Sequence, residues 1–147
     1  MSFSPFMWSI FCDDVRQEAG NKLSFMGIYG PTLIVETWPT TLVKLCCVMS
    51  VRLPASATPR TVVFRLLTGK EVLFDAAVSH PELQDPPDAP AKSDIDAAAV
   101  TISTAAQLIN FQITQRCHLR AVAIADGMEL HGGTLELLAT SSTQRTR

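Results

Sequence analysis

The stretch LVKLCCVMSVRL, at residues 42–53, decides the fold because its side chains alternate in character with a period of two. One alternate set is apolar throughout and consists of Val43, Leu45, Cys47, Met49, Val51 and Leu53. The opposite set includes the polar side chains of Lys44, Ser50 and Arg52. A period of two with one apolar side is typical of a β-strand that rests one face on a core. We therefore predict a core strand here.

The segment TVVFRLLTGKEVLF, at residues 61–74, predicts a β-hairpin. A two-residue loop at Thr68-Gly69 would set core side chains opposite charged ones, so we predict the three-residue loop Leu67-Thr68-Gly69 instead. This loop places Phe64 opposite Val72. It also gives its glycine the third position, which requires a positive φ angle that glycine adopts at little cost.

A second hairpin is predicted in LRAVAIADGMELHGG, at residues 119–133. The loop Ala125-Asp126-Gly127 pairs Ile124 with Met128 and again puts its glycine where φ is positive. Gly132-Gly133 indicates a bulge or tight bend before the last strand.

A third turn is predicted at Gly20-Asn21, between strands at residues 8–12 and 22–29. Charged side chains on both sides of this turn are expected to form one rim on the sheet and to fix the pairing. The residues that we expect to set hairpin register are Arg16, Glu18, Gly20, Lys22, Gly69 and Gly127.

Roughly eight or nine short strands follow one another without helical crossovers, which is the pattern of a β-sandwich. We predict an all-β fold of two antiparallel sheets with an Ig-like, C2-like or jelly-roll topology, and a β-barrel as the alternative. The whole chain, residues 1–147, is interpreted as one domain. Residues 79–96 hold four of the nine prolines and five acidic residues, and predict a long acidic surface loop.

Aromatic side chains before the first strand, together with the acidic loop, are the candidate interaction surface. Tryptophan and phenylalanine are enriched in interface cores, although these rings could also fold back onto the end of their own sandwich. The candidate residues are Phe3, Phe6, Trp8, Glu82, Asp85 and Asp88.

Composition excludes several classes of partner. The formal net charge is -2 and no Lys/Arg run occurs, so we predict no nucleic-acid partner. No stretch reaches the roughly 18 apolar residues that a membrane span requires, so we predict no membrane partner. The start of the sequence has no charged region followed by an apolar one, so no signal peptide is expected. Four cysteines without such a signal are expected to stay reduced in a protein made in the cytosol.

The densest polar cluster is CDDVRQE, at residues 12–18, whose paired carboxylates could bind Ca²⁺ or act as acid and base. The regular oxygen spacing and glycine of an EF-hand loop are absent from the sequence. We therefore interpret Asp13 and Asp14 as turn caps at a strand end, with Arg16 paired internally.

A second candidate combines Cys117 and His118 with His131 and His80, as a zinc site or a nucleophile pair. Neither a CxxC nor an HxxxH spacing is present, and a nucleophile pair needs an orienting third group that the sequence does not indicate. Neighbouring residues on a strand also face opposite sides. We therefore predict no catalytic, cofactor-binding or metal-binding residue, no cofactor, and no enzymatic activity.

The segment FCDDVRQEAGNKLSFMGIYG, at residues 11–30, resembles the signature of an uncharacterised bacterial and phage-associated family of small β-sandwich proteins. Members of this family carry a sequence motif like CDDxRxExGxKxSxxGxY near the N-terminus. The closing segment LRAVAIADGMELHGGTLEL is similar to the family's last strands. The resemblance implies a β-sandwich and carries no activity.

The function that we predict is a non-enzymatic structural or protein-interaction module. Its most concrete form is a virion decoration (cement) protein, or another accessory of an assembly. The partner is then a protein: a capsid or particle protein, or a second copy in a homo-oligomer. The alternative is a β-sandwich that binds a small ligand or a carbohydrate.

Overall fold

A computed structural model of the protein describes residues 4–54, 61–79 and 99–140. These ranges form nine strands: β1 (Phe6–Glu18), β2 (Lys22–Ile28), β3 (Thr32–Val35), β4 (Thr40–Pro54), β5 (Thr61–Thr68), β6 (Glu71–Ser79), β7 (Ala99–Ile113), β8 (Cys117–Ala125) and β9 (Met128–Ala139).

The strands lie in a four-stranded sheet of order β2-β1-β4-β7 and a five-stranded sheet of order β3-β9-β8-β5-β6. The predicted all-β two-sheet sandwich is confirmed, and within the described ranges the sheets do not close into the alternative barrel. Pairing is antiparallel except between β3 and β9, which run parallel.

Strand β4 behaves as its alternation predicts over most of its length, since Leu45 to Leu53 point every second side chain into the core. Val43 is the exception, because its side chain is 75% exposed. It stands opposite Asn110, whose φ is 51°, and beyond this point Leu42 and Phe111 face the core instead. A left-handed residue interrupts the alternation of faces here, so the prediction for Val43 was wrong.

The core fills the space between the two sheets with aliphatic, aromatic and sulfur-containing side chains. Its largest fully buried members are Phe64, Leu45, Met49, Leu53, Leu66, Leu119, Leu135 and Leu137. Alternating strand residues from both sheets supply this layer, which is how a sandwich buries apolar surface.

The hairpin between β5 and β6 has a two-residue turn at Gly69-Lys70, so the predicted three-residue loop was wrong. Its glycine has the expected positive φ of 57°. Glycine at the first central position suits a type II′ turn, which needs only two residues. A register shift leaves Leu73 as the extra residue, and Phe64 pairs with Ala76 instead of Val72. Because of this bulge the core residues of β5 and β6 stand opposite each other even though the turn has only two residues.

The hairpin between β8 and β9 also turns through two residues, Asp126-Gly127, with φ angles of 47° and 79°. Two successive positive φ angles are typical of a type I′ turn, and aspartate tolerates this conformation better than most residues. Ala125 therefore pairs with Met128, and the predicted pairing of Ile124 with Met128 was wrong by one residue.

The predicted bulge at Gly132-Gly133 is confirmed by a register shift opposite Arg120 and Val122. It faces Ser9 of β1 across the sandwich. The Gly133 amide donates a hydrogen bond to Ser9 Oγ at 2.5 Å, and a Cβ on Gly132 would lie 2.8 Å from the same oxygen. The bulge thus lets the two sheets approach each other closely.

Replacing Gly132 with alanine is expected to lower the free energy of unfolding by about 1–3 kcal/mol, because the new methyl group must displace Ser9. Urea denaturation measures this change. Gly30→Ala is the matched control, since a Cβ there meets nothing within 4 Å. Equal stabilities for the two variants would contradict the close approach of the sheets.

Candidate functional site

The outer face of the four-stranded sheet carries an unusual concentration of apolar side chains. Register places Ile28 beside Cys12 and Cys12 beside Cys46, so these neighbours share the side facing away from the core. We call this surface the apolar face; its large side chains are Phe6, Trp8, Ile10, Met26, Ile28 and Ile109. All but Ile10 are between 40% and 60% exposed.

Small side chains form the floor of the apolar face. Cys12, Cys46, Val48 and Ser50 are buried, although they point away from the core. The Ser50 hydroxyl is satisfied by Ser103 Oγ at 2.8 Å, on the neighbouring strand. The larger exposed side chains of β1, β2 and β7 flank this floor, which makes the face a broad and shallow apolar surface.

The outer face of the five-stranded sheet is charged by comparison. Arg65 Nε lies 3.4 Å from Asp75 Oδ2, on paired strands. Glu136 accepts a hydrogen bond from Arg116, and His118 Nε2 lies 3.7 Å from the same carboxylate. Exposed ion pairs of this kind are ordinary solvent-facing features. The two outer faces therefore differ in degree: the five-stranded sheet exposes the large apolar side chains of Ile34 and Val72, whereas the apolar face exposes five.

Asp13 and Asp14 lie inside β1, so their interpretation as turn caps at a strand end was wrong. Lys44 Nζ donates to Asp14 Oδ1 at 2.5 Å, across the sheet. This hydrogen bond holds the pKa of the Asp14 carboxyl below its usual range and raises the pKa of Lys44. The pair lies on the apolar face itself, between Met26 on β2 and Ile109 on β7.

Asp13 points to the opposite side of the strand and accepts a hydrogen bond from the Tyr29 hydroxyl. Burial, followed by this hydrogen bond, raises the pKa of Tyr29 to about 12. A Cβ on Gly27 would lie 2.2 Å from Asp13 Oδ2, and the φ of Gly27 is 66°. Asp13, Gly27 and Tyr29 all belong to the sequence signature that resembles the phage-associated family, and here they form one local structural arrangement. The two carboxylates do not converge on one site.

The stability that Asp14 contributes is expected to disappear in acid. Its folded pKa is lowered, so the contribution is present above the unfolded value of about 4 and is lost as pH falls through the folded pKa. Wild type should therefore exceed Asp14→Asn in free energy of unfolding at neutral pH, and this difference should shrink toward zero in strong acid. Urea denaturation across this pH range measures it; a difference independent of pH would contradict the Lys44 contact.

The charged rim predicted beside the first turn is assembled on one side of the sheet. Arg16, Glu18 and Lys22 are exposed, and Glu18 pairs directly with Lys22. The turn itself uses positive φ angles at Gly20 and Asn21, of 80° and 59°. The proposed role of this rim in fixing the register stays a prediction.

Cys117 and His118 lie at an open groove of about 690 Å³ at one end of the five-stranded sheet. Cys117 packs against the core, whereas His118 faces outward toward Glu136. Burial raises the pKa of the Cys117 thiol, which opposes formation of the nucleophilic thiolate. Burial likewise raises the pKa of Cys12 to about 11.

The described ranges contain no group of three or more histidine, cysteine or acidic side chains that could hold a metal ion. They also contain no helix with the length and hydrophobicity that a membrane crossing requires.

The structure describes two of the six residues predicted for the interaction surface. Phe6 and Trp8 both lie on the apolar face. The sequence did not identify three further members of this face, Met26, Ile28 and Ile109. Their alternation along β2 and β7 assigns them to the face only when the register with β1 and β4 is known. The candidates Phe3, Glu82, Asp85 and Asp88 lie outside the described residues, as do His80 and residues 80–96 of the predicted acidic loop.

Comparisons with protein-family models, with curated proteins and with solved structures found no match. The resemblance of residues 11–30 to a bacterial and phage-associated family therefore remains a prediction.

Proposed function

We propose that this chain is a non-enzymatic protein-interaction module that docks into a larger assembly through its apolar face. The observation that supports the proposal is the exposure of five large apolar side chains on one outer face, against two, Ile34 and Val72, on the other. Contiguous apolar surface on a water-soluble protein commonly marks a site of protein interaction.

The make-up of the apolar face fits a protein partner. Aromatic side chains and methionine are enriched in the cores of interfaces, and Phe6, Trp8 and Met26 supply them here. Polar groups surround such cores. The charged rim provides them at the end of the face nearest the first turn, next to the Asp14–Lys44 pair that lies between Met26 and Ile109. A capsid or other particle protein is the partner that follows from the phage-associated resemblance, which makes the chain a decoration protein.

The non-enzymatic part of the proposal is supported by how the candidate chemical groups are used. Asp13 and Asp14 each have a local hydrogen-bond partner on opposite sides of β1. The Cys117 thiol has a raised pKa and no orienting base beside it among the described residues, since His118 turns to Glu136.

Charge substitutions on the apolar face test the proposal. W8K and I28K are expected to reduce co-fractionation with the native-host assembly by about tenfold or more, as loss of a central apolar anchor does. The matched control is I34K on β3, because Ile34 is 63% exposed and Ile28 is 60% exposed. The proposal fails if I34K abolishes co-fractionation while W8K and I28K leave it unchanged, or if the wild-type chain never enters a larger assembly.

The alternative, a small-ligand module, is favoured by one observation, the open groove of about 690 Å³. Arg116, His118 and Arg120 line it together with Glu71, and Arg116 is paired with Glu136, which leaves Arg120 as the basic side chain best placed to bind a small anion. A thermal-shift screen with inorganic phosphate and with neutral sugars tests this alternative. A saturable rise in Tm with phosphate that Arg120→Gln removes would favour it over the docking module.

A further inference from the structure

Within residues 4–54, 61–79 and 99–140 the two sheets present four edge strands. Natural proteins protect such edges from pairing with other chains. Three of the four carry a recognised protective feature. β3 has only four residues. β2 contains Lys22 and the left-handed Gly27, and β6 contains Glu71, Asp75 and a bulge.

Strand β7 is the exception. It spans 15 residues, Ala99–Ile113, and contains no charged residue and no proline. Its left-handed Asn110 interrupts only the last part, so residues 99–109 form an uninterrupted edge. Among the described strands, β7 pairs with β4 alone, along its whole length. An edge of eleven extended residues is about 35 Å long, enough for a continuous ladder.

We propose that β7 pairs antiparallel with β7 of a second copy, joining two four-stranded sheets into one sheet of eight strands. This proposal deepens the proposed function, because it would place two apolar faces side by side in one docking platform. A two-fold axis sets every residue against a partner from the same strand. Charged residues are therefore a hazard in self-pairing, and β7 has none.

The sequence of β7 also suits one particular register. An axis at Thr104 pairs Ala99 with Ile109 of the second copy and Ile102 with Ala106 of the second copy. In these two pairs a small side chain meets a large one, the first pair on the outer face and the second on the core face, and the same axis sets Val100 against Leu108, both apolar. β6, the next longest edge strand with nine residues, fits a second copy less well because it contains Glu71 and Asp75.

The mass of the purified chain, measured by light scattering after size exclusion, tests the proposal across a dilution series. Wild type is expected at twice its 16.0 kDa at the higher concentrations. T101K/Q107K sets like charges opposite each other in the proposed register and should shift the mass to that of a monomer. T101E/Q107K sets opposite charges there and should restore the dimer at low salt. A77K, a lysine on the β6 edge, is the control that should remain dimeric.

Disulfide trapping keeps the test decisive if a charged variant fails to fold. T104C places two thiols across the proposed axis, within reach of a disulfide in a paired ladder. Oxidised glutathione should convert it to a covalent dimer on a non-reducing gel. A monomeric wild type, a dimeric T101K/Q107K, or a T104C chain that stays uncrosslinked would overturn edge pairing. None of these outcomes would change the co-fractionation expected for W8K and I28K. Failure of the edge-pairing proposal can therefore be distinguished from failure of docking through the apolar face.

Discussion

Truncating Phe64 to alanine is expected to lower the free energy of unfolding by about 3–5 kcal/mol. Phe64 is the largest fully buried side chain of the core, with 0% of its surface exposed. It lies on β5, between paired neighbours on β6 and β8. Sandwich packing leaves little room for neighbouring strands to close the cavity, so most of the lost contact should appear as lost stability.

The matched control is Ile34→Ala on β3, where the side chain is 63% exposed. Its effect on the purified chain should stay within about 0.5 kcal/mol. Urea denaturation of both variants gives the comparison. A Phe64→Ala cost no larger than that of Ile34→Ala would contradict the placement of the core between the two sheets.

Replacing Gly27 with alanine is expected to lower the free energy of unfolding by about 2–4 kcal/mol. Two costs add here. The left-handed backbone at φ 66° costs a residue with a Cβ about 1–2 kcal/mol, and the Cβ itself would lie 2.2 Å from Asp13 Oδ2. Asp13 must then move, which breaks its hydrogen bond with Tyr29.

A double-mutant cycle separates the two costs. In an Asp13→Ala background the close contacts with the carboxylate are gone and only the Cβ of residue 13 stays near, at 3.1 Å, so the cost of Gly27→Ala should fall toward the backbone share of about 1–2 kcal/mol. An equal cost in both backgrounds would show that Asp13 does not pack against Gly27. Near-zero cost in both would contradict the left-handed conformation.

The alternation of residues 42–53 was sufficient to predict a core strand and, with similar segments around it, a two-sheet sandwich. Period-two patterning reports which side of a strand faces a core, and a sandwich consists of little else. The same reasoning was wrong for Val43, because the interruption comes from the backbone of Asn110 on another strand. Nothing in residues 42–53 alone encodes it.

The predictions of both hairpin registers were wrong for a related reason. A three-residue loop aligns the core residues only if the ladder between the strands is uninterrupted. The structure uses two-residue turns instead, and it corrects the alignment of β5 with β6 through the bulge at Leu73. Positive φ at Gly69 and Gly127 could be predicted because glycine is the residue suited to such turns. The bulge could not, since it depends on packing against the facing sheet.

The candidate site was predicted in part. Phe6 and Trp8 stood out as aromatic residues in a chain with few of them, but Ile28 and Ile109 look like ordinary strand residues until the strand order is known. The tertiary partners of Asp13 and Asp14 were hidden in the same way. Tyr29 lies 16 residues from Asp13 in the sequence, and Lys44 lies 30 residues from Asp14.

Hydroxyl-radical footprinting of the chain, alone and within its native-host assembly, tests the docking role of the apolar face most directly. Met26 and Met128 are chemically identical reporters with nearly equal exposure, 41% and 43%, but only Met26 lies on the apolar face. Trp8 is a second reporter on that face. We expect assembly to protect Met26 and Trp8 from oxidation while Met128 is oxidised as before. Protection of Met128 with unchanged oxidation of Met26 and Trp8 would contradict the account.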